Sequence, residues 1–126
     1  MSNKKKFELE FVFKASPAIL YNFLITPSGL SQWFADSVDV KDDMYVFNWS
    51  GSEERARCVE HVENERVRFH WEDGDEADYF EFVISKSEVT GDTILSIIDF
   101  ADEFDVEGQK MLWESQVAEL QKRIGG

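Results

Sequence analysis

Cysteine is almost absent from this chain of 126 residues: Cys58 stands alone, so no disulfide can form within it. Histidine occurs twice, as His61 and His70. A metal site built on them would need cysteine or carboxylate ligands close by. Strand alternation sets His61 opposite Cys58 and puts His70 beside Arg66 and Arg68, so no metal is expected. Basic residues are also few. Thirteen Lys and Arg face 26 Asp and Glu, for a net charge of −13. The one basic cluster is Lys4, Lys5 and Lys6. Without a basic face there is nothing to displace counterions from a phosphate backbone, which argues against nucleic acid. The same charge is repelled by an anionic membrane surface. No apolar run approaches the 18 residues of a membrane span. The first 25 residues lack the layout of a signal peptide, so a cytoplasmic location is expected. A Gly-x-Ser-x-Gly elbow, a P-loop and a dinucleotide fingerprint are all missing, and no cofactor is expected.

Aromatic residues are what the chain has in plenty. They make up 14% of it, with 11 Phe and 4 Trp. Disordered acidic chains are poor in aromatics, so this acidic chain is a folded one. Its length suits one domain, spanning residues 1–126.

Residues 6–14 alternate, with Phe7, Leu9, Phe11 and Phe13 on one face and charges on the other, which reads as a half-buried strand. Ser16-Pro17 starts a helix as cap and first helical residue, with Ile19 and Phe23 leading its apolar stripe beside Leu20 and Leu24. Thr26-Pro27 ends it and opens a second short helix that runs to about Trp33. Strands follow at 37–40, 44–49, 53–62, 66–71, 77–85 and 93–101, joined by turns such as Ser50-Gly51 and Asp73-Gly74. Short turns between consecutive strands imply an antiparallel meander. From about 106 to 123, Trp113, Val117, Leu120 and Ile124 recur at helical spacing, and Gly125-Gly126 closes the helix. The predicted class is α+β: a curved antiparallel sheet of six to seven strands wraps around a long C-terminal helix. Two short helices follow strand one.

Several stretches resemble the START-like (helix-grip, Bet v 1-like) superfamily. They are Phe13-Lys14-Ala15-Ser16-Pro17, Thr26-Pro27-Ser28-Gly29-Leu30-Ser31-Gln32-Trp33-Phe34, and residues 62–71, 91–97 and 113–120. The branch they look most similar to is that of the C-terminal domain of the Hsp90 ATPase activator. The resemblance implies the helix-grip fold. It also implies functions as different as lipid carriage, aromatic-ring cyclisation and co-chaperone work.

Between a curved sheet and its helix lies the default ligand site of such an architecture. The residues expected to line it are Trp33, Trp71, Phe82, Leu95, Ile97, Asp99, Trp113 and Val117. Asp99 and Glu81 are the candidate polar anchors, since a carboxylate in an apolar wall must be paired or raised in pKa. No catalytic residue is assigned. The leading expectation is a non-catalytic domain that binds a small apolar ligand in this cavity. A protein-interaction or co-chaperone-like module is the alternative, and a cyclase-like enzyme using a cavity carboxylate is a second. Met44 and Val46 face away from Tyr45, Phe47 and Trp49, which leaves apolar surface for an interface. A symmetric homodimer or another protein partner would use it.

Overall fold

A computed structural model describes residues 4–75 and 78–124. The chain runs β1 (Lys4–Phe13), α1 (Pro17–Ile25), α2 (Pro27–Leu30), β2 (Ser37–Lys41), β3 (Met44–Trp49), β4 (Ser52–Val62), β5 (Arg66–Trp71), β6 (Tyr79–Lys86) and β7 (Thr93–Asp102). A short 3-10 turn, Glu103–Asp105, then leads into α3 (Val106–Ile124). The seven strands form one antiparallel sheet in the order β1-β7-β6-β5-β4-β3-β2. The meander is as expected, and β1 joins it by pairing with the last strand, Phe7 opposite Asp99 and Leu9 opposite Ile97. This is the helix-grip architecture. The expected start of β6 at Ala77 and the closing Gly125-Gly126 lie outside the described residues.

The turns and caps follow local chemistry. Ser50 and Gly51 both have positive φ, 50° and 86°, the twist that a two-residue hairpin needs between β3 and β4. Ser16 caps α1 by accepting from the Ile19 N–H, and Pro17 occupies the first helical position. Thr26 serves both short helices. Its hydroxyl donates to the Asn22 carbonyl at 2.7 Å and accepts from the Gly29 N–H at 2.9 Å.

Two helical details differ from the expectation. In α1 the buried stripe is Leu20 and Leu24, while Ile19 is 52% exposed. The cap at Ser16 sets the rotational phase, and the i, i+4 pair one residue further round meets the core. The second helix stops at Leu30 rather than near Trp33. The Leu30 carbonyl gathers the N–H groups of Trp33, Phe34 and Ala35 into a turn that cannot propagate.

One face of the sheet carries the core. Phe13, Phe47, Val67, Phe69, Phe80, Phe82, Leu95 and Ile97 project from it and are fully buried. They meet Leu20 and Leu24 of α1, Leu30 of α2, and Trp113, Val117 and Leu120 of α3. α3 packs on β1 and β7, and α1 packs on β5 and β6. Among the described residues no helix is long and apolar enough to cross a membrane.

Candidate functional site

Pleating decides which candidates can share a site, because neighbours along a strand point to opposite faces. Phe82 pairs with Val67 and Ile97 on the core face. Glu81, its neighbour, therefore lies on the outer face. There it is 5% exposed, bonded at 3.0 Å by Arg68, whose guanidinium also sits 4.2 Å over the Tyr79 ring. Glu81 belongs to a shielded ion pair on the outer face of the sheet, away from the space between sheet and helix. That corrects its reading as a cavity anchor.

Asp99 lies on the core face of β7, cross-strand from Phe7. Its Oδ2 accepts from the Trp113 indole N–H at 2.8 Å, and its Oδ1 accepts from the Phe100 backbone N–H at 2.8 Å. Burial pushes its carboxyl above the usual range, and these two donors hold the charged form against that push. The bond ties β7 to α3.

Beside this pair the sheet and α3 diverge, leaving an open cleft of about 510 Å³. Phe34, Trp49, Trp71 and Trp113 supply its aromatic walls. Their rings stand at steep angles: Phe34 to Trp49 at 73° with centroids 5.3 Å apart, and Trp49 to Trp71 at 53° with centroids 6.4 Å apart. Trp113 instead stacks on Phe34 at 5.6 Å. The Phe34 carbonyl accepts from Trp49 Nε1 at 2.6 Å and Gln116 Nε2 at 2.9 Å, which fixes the turn after α2 against both sheet and helix. Around the walls stand Asp99, Glu54, Asp73 and Asp78, with Lys4 paired to Asp78. The lysine draws the Asp78 carboxyl below its usual range.

The eight residues expected to line the cavity thus separate. Trp71, Asp99 and Trp113 are on the cleft wall. Trp33 lies 5% exposed behind it, its indole N–H bonded to the Phe23 carbonyl at 2.9 Å. Phe82, Leu95, Ile97 and Val117 are at most 1% exposed and belong to the packed core. Phe82 has Trp33 at 5.6 Å, Phe80 at 5.6 Å and Trp113 at 5.9 Å, so rings fill the space at its level. Phe34, Trp49, Glu54 and Gln116 were not anticipated at the site. Trp49 carried a signal, since it shares a strand face with Tyr45 and Phe47.

At the opposite end of the sheet, a bulge at Val59 shifts the β4–β5 register between Cys58 and Glu60. His61 then pairs with Val67, on the same face as Cys58, where plain alternation had opposed them. Both border a shallow hollow of about 300 Å³ with Asp43 and Tyr45. Burial pushes the Cys58 thiol up, the wrong direction for a nucleophile. Burial also pushes the Tyr45 phenol up to about 12, and its hydroxyl donates to the Ile25 carbonyl at 2.6 Å. Among the described residues, no three His, Cys, Asp or Glu side chains are grouped to hold a metal.

A family model described as the START-like superfamily domain matches residues 1–126. Among solved structures, BfR322 from Bacteroides fragilis is 36% identical, covers 97% of this chain and 92% of its own, and superposes with a TM-score of 0.69. The Aha1 dimer from Colwellia psychrerythraea is 16% identical with a TM-score of 0.78, over 95% of this chain and 96% of that one. MLL2253 from Mesorhizobium loti is also 16% identical, with a TM-score of 0.76 over 94% and 95%. The last two show a common fold, close to that of the Hsp90-activator (Aha1) C-terminal domain. No curated protein matches the chain. With a family model spanning its whole length and a relative sharing over a third of its residues, the chain belongs to the START-like superfamily.

Proposed function

We propose that this START-like chain is a protein-interaction module, of the kind its likeness to Aha1 suggests. Its docking surface is the cleft together with the apolar flank on the N-terminal half of α3. The observation that carries this reading is the exposure of Phe104, Met111 and Leu112, at 96%, 68% and 53%. Met111 and Leu112 are neighbours on α3, Phe104 stands in the 3-10 turn that leads into it, and Leu112 also borders the cleft. Apolar side chains gathered beside an open cleft mark an interaction surface more than scattered ones do. The core, meanwhile, is occupied by its own rings. The −13 charge favours a partner that is basic around an apolar centre.

Photo-crosslinking groups placed at Met111 and Leu112 test the reading, with a control at Val89, which is 93% exposed on the turn between β6 and β7. One shared crosslinked protein from the two α3 positions, absent from the control, is expected. Equal products at all three positions would rule the surface out. An Hsp90-class chaperone is the first purified partner to assay. Self-association is a second use of the same flank, suggested by the Colwellia protein, which was solved as a dimer. Two copies of charge −13 repel, so a dimer of this kind strengthens with salt in a sedimentation experiment.

A further inference from the structure

The cleft has a chemical character of its own, whichever protein docks over it. Trp49 and Trp71 are half-buried, and their rings meet each other at 53° while Phe34 stands at 73° to Trp49. Rings at such angles form a concave surface rather than a flat stack. The face of an aromatic ring is the negative side of its quadrupole. Among the described residues, four carboxylates, Asp99, Glu54, Asp73 and Asp78, stand around these walls against one ammonium, that of Lys4, which is paired to Asp78. A second hollow, with Glu53, Glu72 and Arg55, which pairs with Glu53, adjoins the cleft and shares Glu54, Trp71 and Asp73 with it. The volume, about 510 Å³, is that of a small-molecule site.

We infer that the cleft binds a small organic cation, a substituted ammonium or guanidinium group on a short apolar stem. The stem lies against Trp113 and Leu112, and the cationic head lies among Trp49, Trp71 and the Asp99 carboxylate. Aromatic faces attract such a head most strongly where water is displaced. Asp99 adds the specific element. Both its oxygens accept from neutral N–H donors, which orient its charge. The site selects against anions, which meet four carboxylates. It selects against neutral isosteres only by the strength of the cation contacts.

The upward push on the Asp99 carboxyl adds a pH signature. A cation stabilises the ionised form, so binding weakens as pH falls through the Asp99 pKa and releases a proton when it occurs below that pKa. Among the described residues, the charged groups that act on Asp99 are Lys4 from β1 and Asp78 from the segment before β6, in opposite directions. No titratable side chain of α3 is among the causes of its shift.

The test uses n-butylguanidinium, its neutral isostere n-butylurea, and butyrate, followed by tryptophan fluorescence and calorimetry at neutral pH. The cation should bind at least about tenfold more tightly than the urea, with butyrate silent. Asp99→Asn should abolish that preference and leave the weak binding of the urea in place. Glu54→Gln, on the rim, should reduce it severalfold and serves should Asp99→Asn fold poorly. A blocked tripeptide centred on arginine forms a further arm. Tighter binding of the free guanidinium marks a small metabolite as the source, and tighter binding of the peptide marks a partner's side chain. Equal affinity for cation and urea, or a preference that survives both substitutions, would overturn the inference. Since the probes are small, failure here leaves the crosslinking test of the docking surface unaffected.

Discussion

Replacing Trp113 with Phe tests how the helix is tied to the sheet. Trp113 is 5% exposed, stacks on Phe34, and donates its indole N–H to Asp99 at 2.8 Å. Phenylalanine keeps a ring against Phe34 and deletes the donor. A hydrogen bond to a charged group contributes about 1.5–3 kcal/mol. The side chain also shrinks by about 40 Å³, which at about 24 cal/mol per Å³ adds about 1 kcal/mol. The expected loss is about 2.5–4 kcal/mol, read from urea unfolding at pH 7 with an unchanged slope. That corresponds to a drop in Tm of roughly 10 °C or more for a domain of this size. The pH dependence separates the bond from the packing. Burial raises the folded-state pKa of Asp99 above its unfolded value, so the folded protein binds the extra proton between the two. Stability therefore falls as pH rises through that window. Removing the indole donor raises the folded pKa further. The deficit of Trp113→Phe consequently grows as pH rises through the Asp99 pKa and is smaller in acid, where a neutral carboxyl accepts a weaker bond. In an Asp99→Asn background the same deficit should shrink by at least about 1 kcal/mol, the coupling of the two groups. A loss below about 1 kcal/mol, or one independent of both pH and the Asp99 substitution, would refute the reasoning.

Other substitutions probe separate parts of the structure. Gly29→Ala would set a Cβ 2.6 Å from the Asn22 carbonyl oxygen and the Phe23 Cα, so it should cost about 1–3 kcal/mol or more in thermal unfolding. Arg68→Met removes the partner of nearly buried Glu81. Because the Arg68 side chain is 37% exposed, the expected cost in urea is about 1–3 kcal/mol rather than that of a fully buried pair, with part regained by Glu81→Gln in the same chain. Tyr45→Phe deletes the bond to the Ile25 carbonyl and should lose about 1–3 kcal/mol. In the parent protein, alkaline absorbance titration should include the Tyr45 phenol ionising near pH 12, an amplitude that this variant lacks.

Much of the fold was legible because the chain alternates cleanly. Phe7 to Phe13 and Val67 to Trp71 declare their buried face in every second residue, and both prolines mark helix starts. Where one residue breaks the period, the reading breaks with it. Val59 bulges out of β4 and reverses the facing of the rest of that strand, which brings His61 to the face of Cys58. No local composition signals that extra residue. The site was legible along β7 and α3, where Asp99 interrupts an apolar strand and Trp113 begins a helical stripe. It was not legible where distant segments meet. Trp49 and Phe34 join the cleft because one carbonyl accepts from both Trp49 and Gln116, a contact across more than 80 residues of chain. Glu81 misled because an acidic residue between Tyr79 and Val83 fits a cavity wall and an ion-paired outer face equally well, until the register shows which face holds Phe82.

The most direct test of the cleft as the binding site is a fluorine NMR titration of protein labelled with 5-fluorotryptophan, using n-butylguanidinium. Four resonances are available, from Trp33, Trp49, Trp71 and Trp113, each assigned by a Trp→Phe variant. Trp49 and Trp71 should shift in a saturable way, Trp113 by less, and Trp33 not at all, since it lies behind the wall with its N–H bonded to Phe23. Four unmoved resonances, or a response centred on Trp33, would contradict the assignment of binding to the cleft.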